Sequence, residues 1–153
     1  MKKLSNLIYF LLTFLFFTYL NFYFSNLIAY KALHGWEFSG PLFKIVYTEN
    51  TGAAFSIMNN STGFLMVVSL VAILAILYYV IKYSGKVNMK LIFFISLLMA
   101  GICGNLCERF FLGYVRDFFD LTFIHFPIFN VSDIFINIGV VGIIIFILLS
   151  KKN

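Results

Sequence analysis

The sequence predicts an all-α membrane protein: four transmembrane helices carrying a small extracytoplasmic β-containing cap. Two observations lead there. Hydrophobic residues make up 62% of the 153 and charged residues only 11%, against roughly 45–50% and about 25% in a soluble domain. No packing scheme hides that much apolar surface in water, so a bilayer must act as the solvent. The apolar residues also fall into four separate segments, about residues 7–23, 63–81, 91–106 and 134–149. Each approaches the roughly 20 helical residues that cross about 30 Å of hydrocarbon. Residues 1–153 read as a single membrane domain.

The first segment follows Lys2 and Lys3, a beginning shared with signal peptides. No small-x-small cleavage site follows it cleanly and the run is long for such a leader, so it reads as a retained span. Residues 26–62 then leave the membrane, with Trp36, Gly35, Gly40, Pro41 and Gly52. Within them Phe43 to Thr48 reads as a short strand, and Trp36 as an interfacial anchor. The third segment is short, so its helix is expected to extend through Glu108 and Arg109. Cys103 and Cys107 lie four apart on that helix. They read as small residues at a helix contact, since a disulfide at that spacing would strain the helix. Residues 107–132 mix charge with aromatics around Pro127 and read as a second external segment.

Lys2, Lys3, Lys82, Lys86, Lys90, Lys151 and Lys152 flank the spans on one side. The positive-inside rule puts both termini and the loop between spans two and three in the cytoplasm. The six acids, Glu37, Glu49, Glu108, Asp117, Asp120 and Asp133, fall on the opposite side. The net charge of +5 comes from these short flanking runs, with no basic helical face, so nucleic acid is not an expected partner.

Acids at or in a bilayer are costly and are functional candidates by default. Asp133 also fits a plainer role, as a helix N-terminal acid favoured by the helix dipole. Asp117 could equally be a loop carboxylate paired to Arg116 or Arg109. His34 and His125 are isolated, and no nucleophile elbow, zinc-protease helix motif, phosphate loop or dinucleotide fingerprint occurs. Two carboxylates sharing one proton suffice for amide hydrolysis, one as base on water and the other as acid toward the carbonyl. A membrane scaffold and an ion site are the competing readings, the latter disfavoured because the acids sit at span ends.

Three sequence blocks carry a family resemblance. They are Asn50-Thr51-Gly52-Ala53-Ala54-Phe55-Ser56, then Gly104-Asn105-Leu106-Cys107-Glu108-Arg109 with Gly113-Tyr114-Val115-Arg116-Asp117-Phe118, and Phe129-Asn130-Val131-Ser132-Asp133. In order, spacing and placement around four spans, the chain resembles lipoprotein signal peptidase (signal peptidase II), an aspartic protease of the bacterial inner membrane. The resemblance implies a catalytic pair at Asp117 and Asp133, with Asn50, Gly52, Asn105, Arg109 and Asn130 in support. It implies cleavage of lipid-modified prolipoproteins before the diacylglyceryl-cysteine. The expected partners are that substrate and membrane lipids, with no metal or cofactor and the chain acting as a monomer.

Several positions depart from the family pattern. Asn21 and Ser25 stand where the family has an Asp and a Lys, and Glu108 where it has Asp. Arg116 replaces an apolar residue, and Ser132 and Ile134 flank Asp133 where Ala and Ser are usual. Arg116, next to Asp117, is expected to lower that carboxyl's pKa and disturb proton sharing.

Overall fold

The computed structural model describes residues 1–52 and 61–150. Its elements are α1 (Lys2–Leu33), β1 (Phe38–Ser39), β2 (Phe43–Asn50), α2 (Thr62–Tyr83), α3 (Met89–Leu112), β3 (Val115–Leu121) and α4 (Val131–Ser150). All four helices are long and apolar enough to cross a membrane. Helix α1, at 32 residues, runs about 48 Å and so outreaches the hydrocarbon. Its last turn ends under an interfacial cluster, with Lys31 Nζ 5.3 Å from the Trp36 ring. Helix α3 ends at Gly113, whose φ of 85° is the left-handed conformation that closes a helix.

Helix α3 is the hub and meets α1, α2 and α4. Half of its most apolar stretch is buried, against 6% for α2. Lipid tails are as apolar as leucine, so helices in a bilayer associate through close packing and hydrogen bonds rather than by hiding apolar area. Both devices are present. Gly139 and Gly142 of α4 lie on Leu98 and Phe94 of α3, and a Cβ at Gly139 would come 2.7 Å from the Leu98 Cβ. Thr13 of α1 donates to Ser96 Oγ of α3 at 2.8 Å. Asn6, 2% exposed, donates its amide to the carbonyls of Ser84 and Val87 and so ties α1 to the α2–α3 connection. Cys103 and Cys107 are free thiols, half-buried on α3.

The two ends of the bundle differ in character. Away from the sheet the core is apolar: Phe10, Ile73, Val80, Val87, Ile92, Ile95 and Met99. Toward the sheet the buried residues turn polar: Asn21, Ser25, Asn105, Glu108, Asp117, Asn130 and Ser132.

The sheet is antiparallel, in the order β1-β2-β3. The cap therefore draws on both external segments, not on residues 26–62 alone. Strand β3 was hard to see because its first half is buried on both faces, so Val-Arg-Asp-Phe lacks an apolar–polar alternation. Between Ile45 and Thr48 strand β2 spends three steps where β3 spends two, from Phe119 to Asp117. This bulge kinks the strand beside Asp117 and brings Thr48 opposite it.

Candidate active site

Asp117 comes from β3 and Asp133 from the first turn of α4. One asparagine joins them. Asn130 Nδ2 donates to Asp117 Oδ1 at 2.8 Å. Its backbone N–H donates to Asp133 Oδ2 at 3.1 Å, and its Oδ1 accepts the Asp133 N–H at 2.9 Å. The second set is a capping box, in which the residue before the helix and the third helical residue satisfy each other's backbone N–H. Asp133 thus has the helix-terminal role its position suggested, and that role fixes where its carboxyl points.

The remaining oxygens are held by two more asparagines. Asn50 Nδ2 donates to Asp117 Oδ2 at 2.8 Å from the end of β2. Asn105 Nδ2 donates to Asp133 Oδ1 at 2.9 Å from α3. Asn105 Oδ1 in turn accepts from Asn130 at 3.1 Å, which closes the network. Among the described residues each of the four carboxyl oxygens has a donor, and a carboxylate oxygen can accept a further hydrogen bond from a water or a substrate. Asn50 is itself fixed, since its Oδ1 accepts the Gly52 N–H at 2.9 Å. Arg109 Nη2 holds the Gly52 carbonyl at 3.0 Å. Gly52 is buried; Ala53, Ala54, Phe55 and Ser56 lie outside the described residues.

Asp117 is 3% exposed, and its carboxyl is pushed up from 3.8 to about 6. Burial is the largest cause, and the nearby Asp133 charge adds to it; the Asn50 and Asn130 hydrogen bonds pull the other way. A cavity of about 440 Å³ opens onto both carboxyls, lined by Asn50, Asn105, Arg109 and Asn130 and by apolar Ile134 and Ile138. A wider cavity of about 840 Å³ meets it at Asp117 and continues along the sheet past Lys44, Thr48, Asp120 and His125. Asp120 belongs to that outer cavity, paired with Lys44 at 3.1 Å. His34 stays at the exposed end of α1, bonded to the Tyr30 carbonyl at 2.7 Å.

The solved structures and sequences most informative for this arrangement agree with one another. A family model described as "Signal peptidase (SPase) II" matches residues 9–149. The chain belongs to the signal peptidase II family. It is 38% identical over 112 residues to a lipoprotein signal peptidase of Streptococcus thermophilus, covering 73% of this chain and 72% of that one. A lipoprotein signal peptidase of Clostridium acetobutylicum is 41% identical over 114 residues, covering 72% and 73%. Two solved structures titled as bacterial membrane enzymes superpose with TM-scores of 0.82 and 0.78 at 30% and 31% identity. They cover 94% and 91% of this chain, and 90% and 92% of their own. Membership of the signal peptidase II family makes the chain a protease.

Against that family pattern the departures group in space. Asn21 Nδ2 donates to Ser132 Oγ at 2.7 Å, and Ser25 Oγ donates to Asn21 Oδ1 at 3.4 Å. A side chain at Gly104 would collide with both Asn21 and Ser132. These three departures therefore form one uncharged chain behind Asp133. Glu108 and Arg116 form the other group. Arg116 does not turn toward Asp117 as expected: its guanidinium is bound to Glu108 at 2.7 Å. Adjacent residues on a strand point to opposite faces, which is why sequence neighbours need not interact. Asn26, which accepts from Arg116 Nη2 at 3.0 Å, had no sequence signal at all.

Proposed function

We propose that the chain is an aspartic endopeptidase that removes signal peptides from lipid-modified prolipoproteins, cutting before the diacylglyceryl-cysteine. The observation that carries this reading is the bridging of Asp117 and Asp133 through Asn130, inside a cavity shared by the bundle and the sheet.

In the proposed reaction one carboxyl is ionised and the other protonated. Two carboxylates in a buried site repel, so the pair holds a single shared proton more tightly than an isolated carboxyl would. The ionised partner takes a proton from water as its oxygen attacks the scissile carbonyl. The protonated partner hydrogen-bonds the carbonyl oxygen and stabilises the charge that develops there. Transfer of a proton to the leaving amine then releases the signal peptide. The pair titrates as a unit, so neither step assigns a fixed pKa to either residue. Asn50, Asn105 and Asn130 hold the carboxyls in register for this, and Arg109 holds the Gly52 backbone.

Apolar Ile134, Ile136 and Ile138 beside the cavity suit the hydrophobic part of a signal peptide arriving from the bilayer. The flanking lysines support cytoplasmic termini and an extracytoplasmic site, at which the chain acts as a monomer among lipids. The test is to incubate the purified chain with a precursor in two forms, diacylglyceryl-modified and unmodified. Mass spectrometry of the products should show a new N-terminal diacylglyceryl-cysteine from the first and nothing from the second. Equal cleavage of both, or a cut elsewhere, would contradict the reading.

A further inference from the structure

The Glu108–Arg116 pair lies outside the hydrogen-bond network of the two aspartates, yet it touches the strand that carries Asp117. Arg116 Nε and Nη2 donate to Glu108 Oε1 at 3.0 and 2.7 Å, and the Arg116 backbone N–H donates to Glu108 Oε2 at 2.7 Å. Both side chains are largely buried, at 9% and 15% exposed. Arg116 Nη2 reaches on to Asn26 Oδ1 at 3.0 Å. One residue of α3 thus grips both the backbone and the side chain of the residue preceding Asp117, and the grip extends to α1. Glu108 stands one helical step from Asn105, which holds Asp133.

We propose that Glu108, Arg116 and Asn26 form a positioning clamp for Asp117. The clamp fixes β3 against α3 and binds the guanidinium away from the carboxyl, so that Arg109 is the cation that acts on the aspartate pair. The proposal rests on the reading of Asp117 and Asp133 as a proton-sharing pair. A buried ion pair contributes little net stability, but removing one member strands the other as an uncompensated charge. Either single loss should therefore disturb both the charge around the aspartates and the hold on β3, whereas loss of both should restore the charge balance and leave only the hold on β3 lost.

The charged and titratable groups around Asp117 are Asp133 from α4, Glu108 and Arg109 from α3, and Lys44, Glu49, Asp120 and His125 along the outer cavity. Tyr47 lies on β2 against Phe118. Among the described residues, Glu108 is the one of these whose side chain is bonded to Arg116, which faces Glu49 across the β2–β3 ladder.

The test compares Glu108→Gln, Arg116→Met and the double variant, using the purified full chain and a diacylglyceryl-modified precursor. Glu108→Gln should lower kcat about ten- to hundredfold, as misplacement of a reacting group does. It should also move both limbs of the kcat–pH profile down by on the order of half a unit, because a freed cation favours ionised carboxyls. Arg116→Met should move both limbs up, through the stranded Glu108 charge. The double variant should return the limbs to their wild-type positions while kcat stays lowered, no further than in the worse single variant. Unmoved limbs in both single variants, or a double loss equal to the product of the single losses, would overturn the clamp. If the single variants do not fold, a double variant that folds with wild-type limbs and lowered kcat supports it, and one with displaced limbs or wild-type kcat overturns it. Asp117→Asn and Asp133→Asn run alongside as a separate arm. Cleavage surviving in either would refute the aspartate pair itself, whereas inactive aspartate variants with a silent Glu108–Arg116 pair would refute only the clamp.

Discussion

At the scale of single residues, the network turns on asparagine. Asn50, Asn105 and Asn130 supply side-chain donors to both carboxyls without adding charge, so they orient the acids and only partly offset the rise that burial gives Asp117. An arginine in any of those places would ionise the pair outright. The sequence could name these residues only through the resemblance, because nothing in their spacing distinguishes an active-site asparagine from a turn residue. It could not tell Arg116 from a perturbing neighbour, since the partner that neutralises it, Glu108, comes from another element. Asp117 has a consequence for stability. Its carboxyl is raised from 3.8 to about 6, so the folded state binds this proton more tightly than the unfolded chain does. That contribution is fully present below the unfolded value and is lost as pH rises through about 6. Asp117→Asn, which needs no ionisation, should therefore lack this pH-dependent loss of up to about 3 kcal/mol, while setting an amide NH2 against one of its two donors, Asn50 or Asn130. Thermal unfolding in detergent at neutral pH and near pH 4 checks this: wild type should lose more stability between the two than the variant does.

At the scale of elements, the four helices were legible because hydropathy reports a bilayer directly, residue by residue. Strand β3 was not. Its pairing with β2 is non-local, and Asp117 sits in it as a buried polar residue that breaks the strand pattern. The bulge in β2 beside Asp117 was equally invisible, since it exists only as a mismatch between two strands. Helix α4 was legible as a span but not as a lever. Its contact with α3 at Gly139 holds the helix whose first turn carries Asp133. Gly139→Leu should push α4 off Leu98 at a cost of about 1–3 kcal/mol, as overpacking does elsewhere. Cleavage should fall with it, because Asn105 and Asp133 are then separated. A kinetic comparison with Val140→Leu, at an exposed position two-fifths open, isolates the effect: the Val140 variant should match wild type.

At the scale of the whole molecule, charge and polarity are segregated along the bundle. Lysines flank one end, and the acids and the buried asparagines gather at the other. This asymmetry gives the expected orientation, which labelling can check. With Cys103 and Cys107 changed to Ser, a cysteine introduced at Glu37 should react with a membrane-impermeant thiol reagent from outside intact cells. One introduced at Lys86 should react only after permeabilisation. The same asymmetry puts a water-accessible cavity next to a lipid-facing surface, the setting in which a lipid-anchored substrate can present an amide bond to two carboxyls. The most direct measurement is cleavage of a diacylglyceryl-modified precursor by wild type, Asp117→Asn and Asp133→Asn, each shown to be folded. Each substitution should lower kcat by about a thousandfold or more, as loss of an essential acid or base does. Undiminished cleavage by either folded variant would contradict the proposal that this pair carries the reaction.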